Sequence, residues 1–367
     1  MTYLRYVAIG DSQTEGLLDP DGRGGMRGWA DRFADIATGS SPHLQYANLA
    51  VRGRLIDAIR AEQLDVALAL RPDLATVMAG LNDMLRPSCD LDCVLAELDA
   101  MLGRLRATGA TVLTNTYPDI ARLVPLFARL GGRFDVFNDG IRAVAEARGA
   151  LVVDFALHRA GTDPRIWSPD RIHANPIGHA LMAAAFADTL GVAGLEGWHD
   201  PLPALLPVGR MRRAVTETRW VSGTLAPWVG RRLLGRSSGD GRVAKRPDLV
   251  PVASLFHLVA PGEWPTAGSY RPTSLDTEGF VHFSFADQIE GSANRHYGDA
   301  PDLAVVEVDP ALLGVPVRVE DSYGSGVAFP HAYGPVPVAA ALAVRALQRG
   351  ADGRWSVNPG DSATARA

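Results

Sequence analysis

The chain has 367 residues, more than one hydrophobic core usually accommodates, so two domains are the starting expectation. Hydrophobic residues make up 47% and charged residues 21%, which is typical of a globular protein with ample material for a core. The formal net charge of −5 argues against a dedicated nucleic-acid-binding protein, because a phosphate-binding surface normally requires an excess of basic residues.

The two cysteines, Cys89 and Cys93, are best explained as reduced thiols. Their spacing could place both on one face of a helix, but no second pair of Cys or His lies nearby to complete a zinc site. A strand is predicted from about Leu4, which leaves no room for a secretion signal, and no apolar run approaches the roughly 20 residues of a membrane span. We therefore expect a cytoplasmic protein with no metal and no transmembrane segment.

Strand-like and helix-like patterns alternate over the first 190 residues. Strands are predicted at residues 4–9, 44–50, 74–79, 111–116 and 151–155. Helices are predicted at residues 29–37, 55–70, 91–105, 137–147 and 177–190. Because parallel strands need crossover connections, this alternation predicts an α/β fold: a five-stranded parallel sheet in flavodoxin-like order with helices on both faces.

Four segments with polar or glycine residues follow the strands of this sheet. Ser12 follows the first strand and begins a helix, where its amide has no partner within the helix. Gly53 follows the second strand and Asn82 the third. His173, preceded by Asp170, lies in the loop after the fifth strand. Because ligands of open α/β sheets bind at the carboxyl ends of the strands, these segments are expected to converge on one site.

The residue types at this edge fit acyl transfer. Ser12 would be the nucleophile, His173 would take its proton and return it to the leaving group, and Asp170 would hold the imidazole in the right tautomer. The amides of Ser12 and Gly53 with the side chain of Asn82 would form an oxyanion hole, where losing one donor typically costs about 100- to 1000-fold in rate. Each residue could instead cap a helix or close a turn, but the agreement of four segments favours catalysis.

Two other histidines, His179 and His199, are weaker candidates for the base because neither has an Asp three residues before it. Asp11 and Asp83 are interpreted as turn and network residues beside the site.

In four blocks the sequence resembles the SGNH hydrolases, also called the GDSL-like lipase and acylhydrolase family. The blocks are Gly10-Asp11-Ser12, Gly53, Gly80-x-Asn82-Asp83 and Asp170-x-x-His173. Over residues 1–195 the resemblance implies a three-layer α/β/α sandwich that hydrolyses a small-molecule ester, acetyl ester or thioester without metal or cofactor. One departure is Gln13, where many members have Leu; we expect it to alter the pocket rim, and so the substrate, more than the chemistry.

Residues 196–250 are rich in Arg, Pro and Gly and are interpreted as an extension and linker. A short amphipathic helix is predicted at residues 219–234. The arginines could form a basic surface for lipid or nucleic acid, but apolar residues such as Trp220 and Trp228 interrupt the charge. A solvated arm is therefore the preferred interpretation.

Residues 251–350 predict a smaller α+β domain, followed by a flexible tail at 351–367. Its strands are predicted at residues 254–259, 279–284, 303–308, 315–319, 329–334 and 339–347, with a helix at 287–295. This part resembles the domain of unknown function 952 family through the following residues: His257, His282, Ser284, Asn294, Arg295, His331, Tyr333 and Gly334.

A distant similarity of that family to ADP-ribosyltransferases implies a NAD or nucleotide pocket at His257, His282 and Ser284, with His331 as a further candidate. Alternatively, these polar residues satisfy one another in a cleft without chemistry. The sequence therefore predicts a serine ester hydrolase with an accessory domain. The alternatives are a nucleotide-binding or ADP-ribosyl-transferring module as the main activity, or a catalytically silent binding protein. The substrate and the oligomeric state stay open.

Overall fold

The computed structural model describes residues 2–119, 124, 131–203 and 238–357. The chain divides into two compact units, one formed by residues 1–40 and 46–248 and the other by residues 41–45 and 249–367. The division after residue 248 lies close to the predicted end of the linker at residue 250. The helix predicted at 219–234, with the arginines and tryptophans around it, lies outside the described residues, as does the end of the chain from residue 358.

A sheet of six strands forms the centre of the first unit. Its strands are β1 (Arg5–Gly10), β2 (Gln45–Asn48), β3 (Leu74–Met78), β4 (Thr111–Asn115), β5 (Leu151–Val153) and β6 (Arg246–Pro251). The order is β5-β4-β3-β1-β2-β6, and β1, β3, β4 and β5 pair in parallel. The first five strands confirm the predicted elements and the flavodoxin-like order, with ends within two residues of the prediction.

The sixth strand corrects the prediction of a five-stranded sheet, because it lies in the segment interpreted as a linker. Two of the six residues of β6 are prolines, Pro247 and Pro251, which cannot donate a ladder hydrogen bond. Within sheets, proline is confined to edge strands and strand ends. A short segment with two prolines therefore looks like a linker in the sequence. Directly before β6, the ammonium group of Lys245 donates to the carbonyl oxygens of Met26 (2.9 Å) and Arg27 (2.6 Å).

Helices cover both faces of this sheet. Every residue of β3 is therefore buried. They are α1 (Ser12–Glu15), α2 (Gly28–Ala37), α3 (Ile56–Ile59), α4 (Asp65–Ala69), α5 (Leu81–Met84), α6 (Leu91–Arg106), α7 (Gly131–Arg148) and α8 (Pro176–Thr189). A π-helical turn at Arg60–Leu64 joins α3 to α4, so the two correspond to one predicted helix. The four-residue helix α5 was not predicted, and α1 was predicted only as a helix that begins at Ser12, because one turn is too short to show a hydrophobic period.

Aromatic rings fill the core on the side of α2 and α8. The rings of Trp29 and Phe186 stack with centroids 4.0 Å apart, and Phe33 lies 5.9 Å from Phe186. All three side chains are fully buried. Such aromatic pairs contribute about 0.5–1.5 kcal/mol beyond the burial of their area, so they fix how α8 lies on α2. The position of α8 matters because the loop carrying His173 leads directly into it.

The second unit is the predicted α+β fold. Its strands are β7 (Leu255–Val259), β8 (Ser269–Tyr270), β9 (Val281–His282), β10 (Ala304–Val308), β11 (Val317–Glu320), β12 (Phe329–Ala332), β13 (Val336–Pro337), β14 (Ala341–Ala346), β15 (Gln348–Arg349) and β16 (Trp355–Ser356). Its helices are α9 (Thr273–Thr277) and α10 (Ile289–His296). Two antiparallel three-stranded sheets, β14-β10-β7 and β11-β12-β9, enclose the apolar core.

The start of the predicted flexible tail is ordered, which corrects the boundary at residue 351. β16 pairs with β15, and Trp355 is only 2% exposed. Its indole Nε1 donates to the carbonyl oxygen of Tyr297 at 2.8 Å. The polar composition of this segment gave no indication that Trp355 is buried. In the part of the chain that the structure describes, no helix has the length and apolarity that crossing a membrane requires.

His179 of α8 is buried and neutral, and it makes the first unit sensitive to acid. Its Nδ1 accepts from the amide of Trp29 (3.2 Å), and its Nε2 donates to the carbonyl oxygen of Leu17 (3.2 Å). Burial lowers its pKa to about 4, although the bond to Leu17 opposes the shift. The unfolded chain therefore binds the proton more tightly between about pH 4 and the usual value of about 6.5.

We predict that the wild-type protein loses more stability than a His179→Gln variant as the pH falls from 7 to 4.5. The reason is that only the wild-type side chain takes up a proton on unfolding in this window. Urea unfolding curves of both proteins at the two pH values would measure the difference. Parallel losses in the two proteins would contradict the prediction.

Candidate active site

Ser12 occupies a sharp turn between β1 and α1. A Cβ atom at Gly10 would lie 2.5 Å from both the carbonyl oxygen of Met78 and Oγ1 of Thr14, so only glycine permits this close approach. Asp11 then caps α1, with its Oδ1 accepting from the amide of Gln13 at 3.2 Å. Ser12 is therefore the first residue of α1, as predicted. Its amide has no hydrogen-bond partner among the described residues.

Three of the predicted residues form one chain of hydrogen bonds. The hydroxyl Oγ of Ser12 lies 2.8 Å from Nε2 of His173, although 161 positions separate the two residues. Nδ1 of His173 lies 2.6 Å from Oδ2 of Asp170. The structure thus brings together a hydroxyl, an imidazole and a carboxylate in the order that general-base activation of a serine requires.

The carboxylate of Asp170 is held in its ionised form. Burial is the largest single influence on its pKa and raises it. The imidazole of His173 and two amide bonds lower the pKa and together outweigh burial, so the pKa lies below its usual value. Those amides, of Ile172 and His173, each donate to Oδ1 at 3.0 Å. An ionised carboxylate accepts the proton of Nδ1, which leaves the lone pair of Nε2 for Ser12.

The two alternative histidines lie elsewhere. His179 is buried in α8 and bonded to main-chain groups, as described above. His199 ends a short 3₁₀ turn, Glu196–His199, where its ring contacts those of His158 and Trp198 at 4.7 and 5.3 Å. Among the described residues, neither of these two rings forms a hydrogen bond with Ser12.

The expected oxyanion-hole residues lie in the turn after β2 and in α5. Gly53 follows β2 with φ of +74°, a left-handed conformation that favours glycine. Asn82 lies in α5, and its Nδ2 donates to Oδ2 of Asp11 and to the carbonyl oxygen of Arg54, each at 3.0 Å. Both protons of that amide therefore have protein acceptors, and an oxyanion would have to replace one of them. The role of Gly53 and Asn82 as donors stays a prediction.

Asp11 differs from Asp170 in its electrostatics. Burial raises its pKa to about 7, although the bond from the amide of Gln13 opposes the shift. Asp83, also near the site, has its pKa raised to about 6 by burial, and it accepts from the amide of Ile56 at 3.1 Å. The carboxyl group of Asp11 therefore keeps its proton to a higher pH than an ordinary aspartate does. The network interpretation of both residues agrees with these bonds, but their changed acidity could not be inferred from the sequence.

A buried ion pair fastens the turn that carries Gly53 to α1. The carboxylate of Glu15 accepts from the amide of Arg52 (2.7 Å) and from its guanidinium, through Nε (2.8 Å) and Nη2. The side chains are only 11% and 12% exposed. The sequence analysis did not select this pair, because nothing in the spacing of residues 15 and 52 indicates contact.

Gln13 does not lie on an open rim as expected: it is 4% exposed and bonds to the loop of His173. It also forms part of the wall of an apolar cavity. The wall includes Met78, Tyr117, Phe155, Ile166, Trp167, Ala174, Leu181, Met182 and Trp198. Residues 120–123 and 125–130 lie outside the described residues.

In the second unit the four predicted site residues make the following contacts. The rings of His282 and His331 lie 5.2 Å apart at a right angle. His257 is buried; its Nδ1 bonds the main-chain oxygen of His282 at 2.7 Å, and its Nε2 lies 3.2 Å from the hydroxyl of Tyr270. Ser284 pairs with the hydroxyl of Ser292 at 3.1 Å. The pocket at His257, His282 and Ser284, and a NAD or nucleotide ligand in it, stay predictions.

The described residues contain no group of three or more His, Cys, Asp or Glu side chains placed to hold a metal ion. Cys89 and Cys93 are both free thiols.

A hydroxyl, an imidazole and a carboxylate aligned at the edge of a parallel sheet are typical of ester hydrolases. The sequence model of the GDSL-like lipase/acylhydrolase family matches residues 8–181, and that of DUF952, a family of unknown function, matches residues 259–344. These matches confirm the predicted combination of a GDSL-like hydrolase domain with a DUF952 domain.

Individual relatives match one part of the chain each. An acetylxylan esterase of Geobacillus stearothermophilus is 25% identical over 207 residues, which is 51% of this chain and 94% of that protein. The crystal structure of LAE5, an alpha/beta hydrolase from the metagenome of Lake Arreo, Spain, is 25% identical and covers 52% of this chain and 95% of its own, with a TM-score of 0.45. Protein CC0527 from Caulobacter crescentus is 28% identical over 28% of this chain and 94% of its own, with a TM-score of 0.26. The comparisons give no support to an ADP-ribosyltransferase-like fold.

We predict that Glu15→Gln destabilises the first unit by about 3 kcal/mol, because it leaves the buried guanidinium of Arg52 without a counter-charge. Glu62→Gln is the matched control, since Glu62 pairs with Nε of Arg54 at 2.8 Å but is 47% exposed. The control should cost less than about 1 kcal/mol. Denaturant unfolding of the three proteins would measure both values, and equal losses would show that the buried pair has no special role.

Proposed function

We propose that the first unit is a serine hydrolase that cleaves a small-molecule ester or acetyl ester, with Ser12 as nucleophile. The observation that carries the proposal is the pair of contacts on His173, 2.8 Å to the hydroxyl of Ser12 and 2.6 Å to the carboxylate of Asp170. A base must lie within hydrogen-bond reach of the proton it removes, and this imidazole does. The match of residues 8–181 to an acylhydrolase family supports the same reaction.

The reaction would proceed in two halves. Oγ of Ser12 attacks the ester carbonyl carbon while Nε2 of His173 takes its proton, and the ionised carboxylate of Asp170 stabilises the imidazolium that forms. The tetrahedral intermediate expels the alcohol, which receives the proton from His173, and the acyl group stays on Ser12. Water, deprotonated by His173, then attacks the acyl-enzyme and releases the acid.

Charge develops on the carbonyl oxygen in both halves. The amide of Ser12 at the start of α1 is the first proposed donor to it, because the first amides of a helix have no partner within the helix. The amide of Gly53 and the side chain of Asn82 are the second and third proposed donors. For Asn82 to serve, the oxyanion must compete with Asp11 and with the carbonyl oxygen of Arg54.

An uncharged, short acyl group is the proposed substrate class. The cavity beside Gln13 is lined mainly by apolar and aromatic side chains, which disfavour a charged group. The acetylxylan esterase relative, whose name describes removal of acetyl groups from a polysaccharide, supports an acetyl ester as one member of that class.

We predict that Ser12→Ala abolishes hydrolysis of short p-nitrophenyl esters, with a loss of at least about 1000-fold in kcat, since no other group can form the acyl-enzyme. Labelling by a fluorophosphonate probe should disappear in the same variant. The matched control is Ser40→Ala, an exposed serine that bonds only the carbonyl oxygen of Ala37. Ser40→Ala should keep both turnover and labelling, and turnover or labelling that survives in Ser12→Ala would refute the proposal.

We also predict that Asp170→Asn lowers kcat by about 10³- to 10⁴-fold with little change in KM. The amide of Asn would donate to Nδ1 of His173, which places the ring proton on Nε2 and removes the acceptor for Ser12. Steady-state kinetics with circular dichroism as a check on folding would measure the effect. A loss below tenfold would show that this carboxylate does not orient the base.

A further inference from the structure

We infer that Gln13 is a positioning residue for the base: its side-chain amide holds the main chain on both sides of His173 and fixes the imidazole against Ser12. The inference rests on the proposed function, because it assigns Gln13 a task in that reaction. It also replaces the expectation that this residue acts on the pocket rim.

Two hydrogen bonds carry the inference. Nε2 of Gln13 donates to the carbonyl oxygen of Ile172 at 2.7 Å, and Oε1 accepts from the amide of Ala174 at 3.3 Å. Gln13 is 4% exposed and Ala174 is 1% exposed, so water has little access to either partner. The residue between the two bonded groups is His173.

This arrangement reproduces one rung of a parallel β-ladder. In such a ladder a residue's own amide and carbonyl bond to the carbonyl before and the amide after its opposite neighbour. The primary amide of Gln13 supplies the same donor and acceptor from a side chain. It therefore restrains both the position and the rotation of the backbone that carries the imidazole, which a single hydrogen bond would not do.

The other side of the same loop is already restrained from within. The amide of Ser168 donates to the carbonyl oxygen of His173 at 2.8 Å, and Asp170 accepts from the amides of Ile172 and His173. Arg171 has φ of +60°, a strained conformation for a non-glycine residue. These contacts keep the loop in shape, but none of them connects it to the nucleophile.

Gln13 makes that connection because it follows Ser12 directly. The hydroxyl of Ser12 bonds to the imidazole of His173. The side-chain amide of Gln13 bonds to the main chain on both sides of the same histidine. The two residues of α1 thus hold the loop at three points. Displacing a reacting group by about 1 Å can cost a factor of about 100 in rate, so a restraint of this kind acts on kcat.

The test replaces Gln13 by Met, which keeps the unbranched shape and removes both hydrogen bonds. The matched control is Asn138→Leu. Asn138 is also 4% exposed, and its amide makes the same two-bond pairing to Tyr117, donating to the carbonyl oxygen and accepting from the amide, each at 2.8 Å. Both variants lose two buried bonds of a side-chain amide to main chain. Only one of those pairings involves the loop of His173.

We expect Gln13→Met to lower kcat by about 10- to 100-fold with KM changed less than about threefold. The downfield proton resonance expected for the Nδ1 bond of His173, identified by its absence in His173→Ala, should broaden or shift upfield. Asn138→Leu should lower the melting temperature by a similar amount while this resonance stays close to wild type. Should Gln13→Met fail to fold, Gln13→Asn retains the amide but is one methylene too short to reach, and should show the same loss in kcat.

An unchanged kcat and an unchanged resonance in a folded Gln13 variant would overturn the inference while the proposed function stands. Equal effects on kcat and resonance in the Asn138 control would also overturn it, because the loss would then reflect general destabilisation. If the wild-type protein hydrolyses no ester and Ser12 takes up no probe, the proposed function fails, and the resonance alone decides whether Gln13 positions His173.

Discussion

The contact between the hydroxyl of Ser12 and the imidazole of His173 is the interaction on which the candidate site depends. Its 2.8 Å length joins residues 161 positions apart, so it exists only if two separate pieces of main chain are held rigidly. One piece is fixed by the tight turn at Gly10 and the cap of Asp11. The other is fixed by internal bonds of the loop that leads into α8. The cap and the loop bonds all engage main-chain amides, so they restrain the backbone of each piece.

Two buried carboxyl groups of the site have pKa values that are shifted in opposite directions. Asp170 receives the imidazole of His173 and two amides, so its pKa stays below the usual value despite burial. Asp11 receives one amide and the side chain of Asn82, and burial raises its pKa to about 7. The number and kind of hydrogen bonds therefore decide the direction in which each pKa is shifted. The ionised carboxylate of Asp170 suits an ester hydrolase, in which one fixed anion must face the base.

In the second unit, the two faces of one sheet carry different kinds of side chain. One face of the sheet β11-β12-β9 supplies Val281 and Ala332 to the apolar core. The opposite face carries His282 and His331, which lie directly across from each other in the register. His331 is nevertheless 1% exposed, with the ring of Phe280 stacked on it at 4.1 Å. A histidine so deeply buried on the face away from the core is the clearest feature that distinguishes this domain from a simple packing module.

Much of the first domain could be predicted from sequence because its signals are local. Buried parallel strands read as apolar runs, helices of ten residues or more show their period, and the residues that follow each strand must meet at one edge of the sheet. Ser12, Asp170 and His173 were found in this way. The prolines of β6 and the single turn of α5 gave no such signal, and the sixth strand was missed.

The sequence by itself thus determined the order of the strands, the family resemblance and the residue types gathered at the site. Only the tertiary structure decided which side chains bond to which. Gln13 looked like a substitution at a pocket rim, yet it pairs with the main chain around His173. Nothing in the sequence indicates that Glu15 and Arg52 are in contact. The pKa of Asp11 depends on the groups that surround it in the folded protein. The physical reason is that burial, hydrogen-bond geometry and pKa shifts are properties of the packed neighbourhood, which segments distant in sequence supply together.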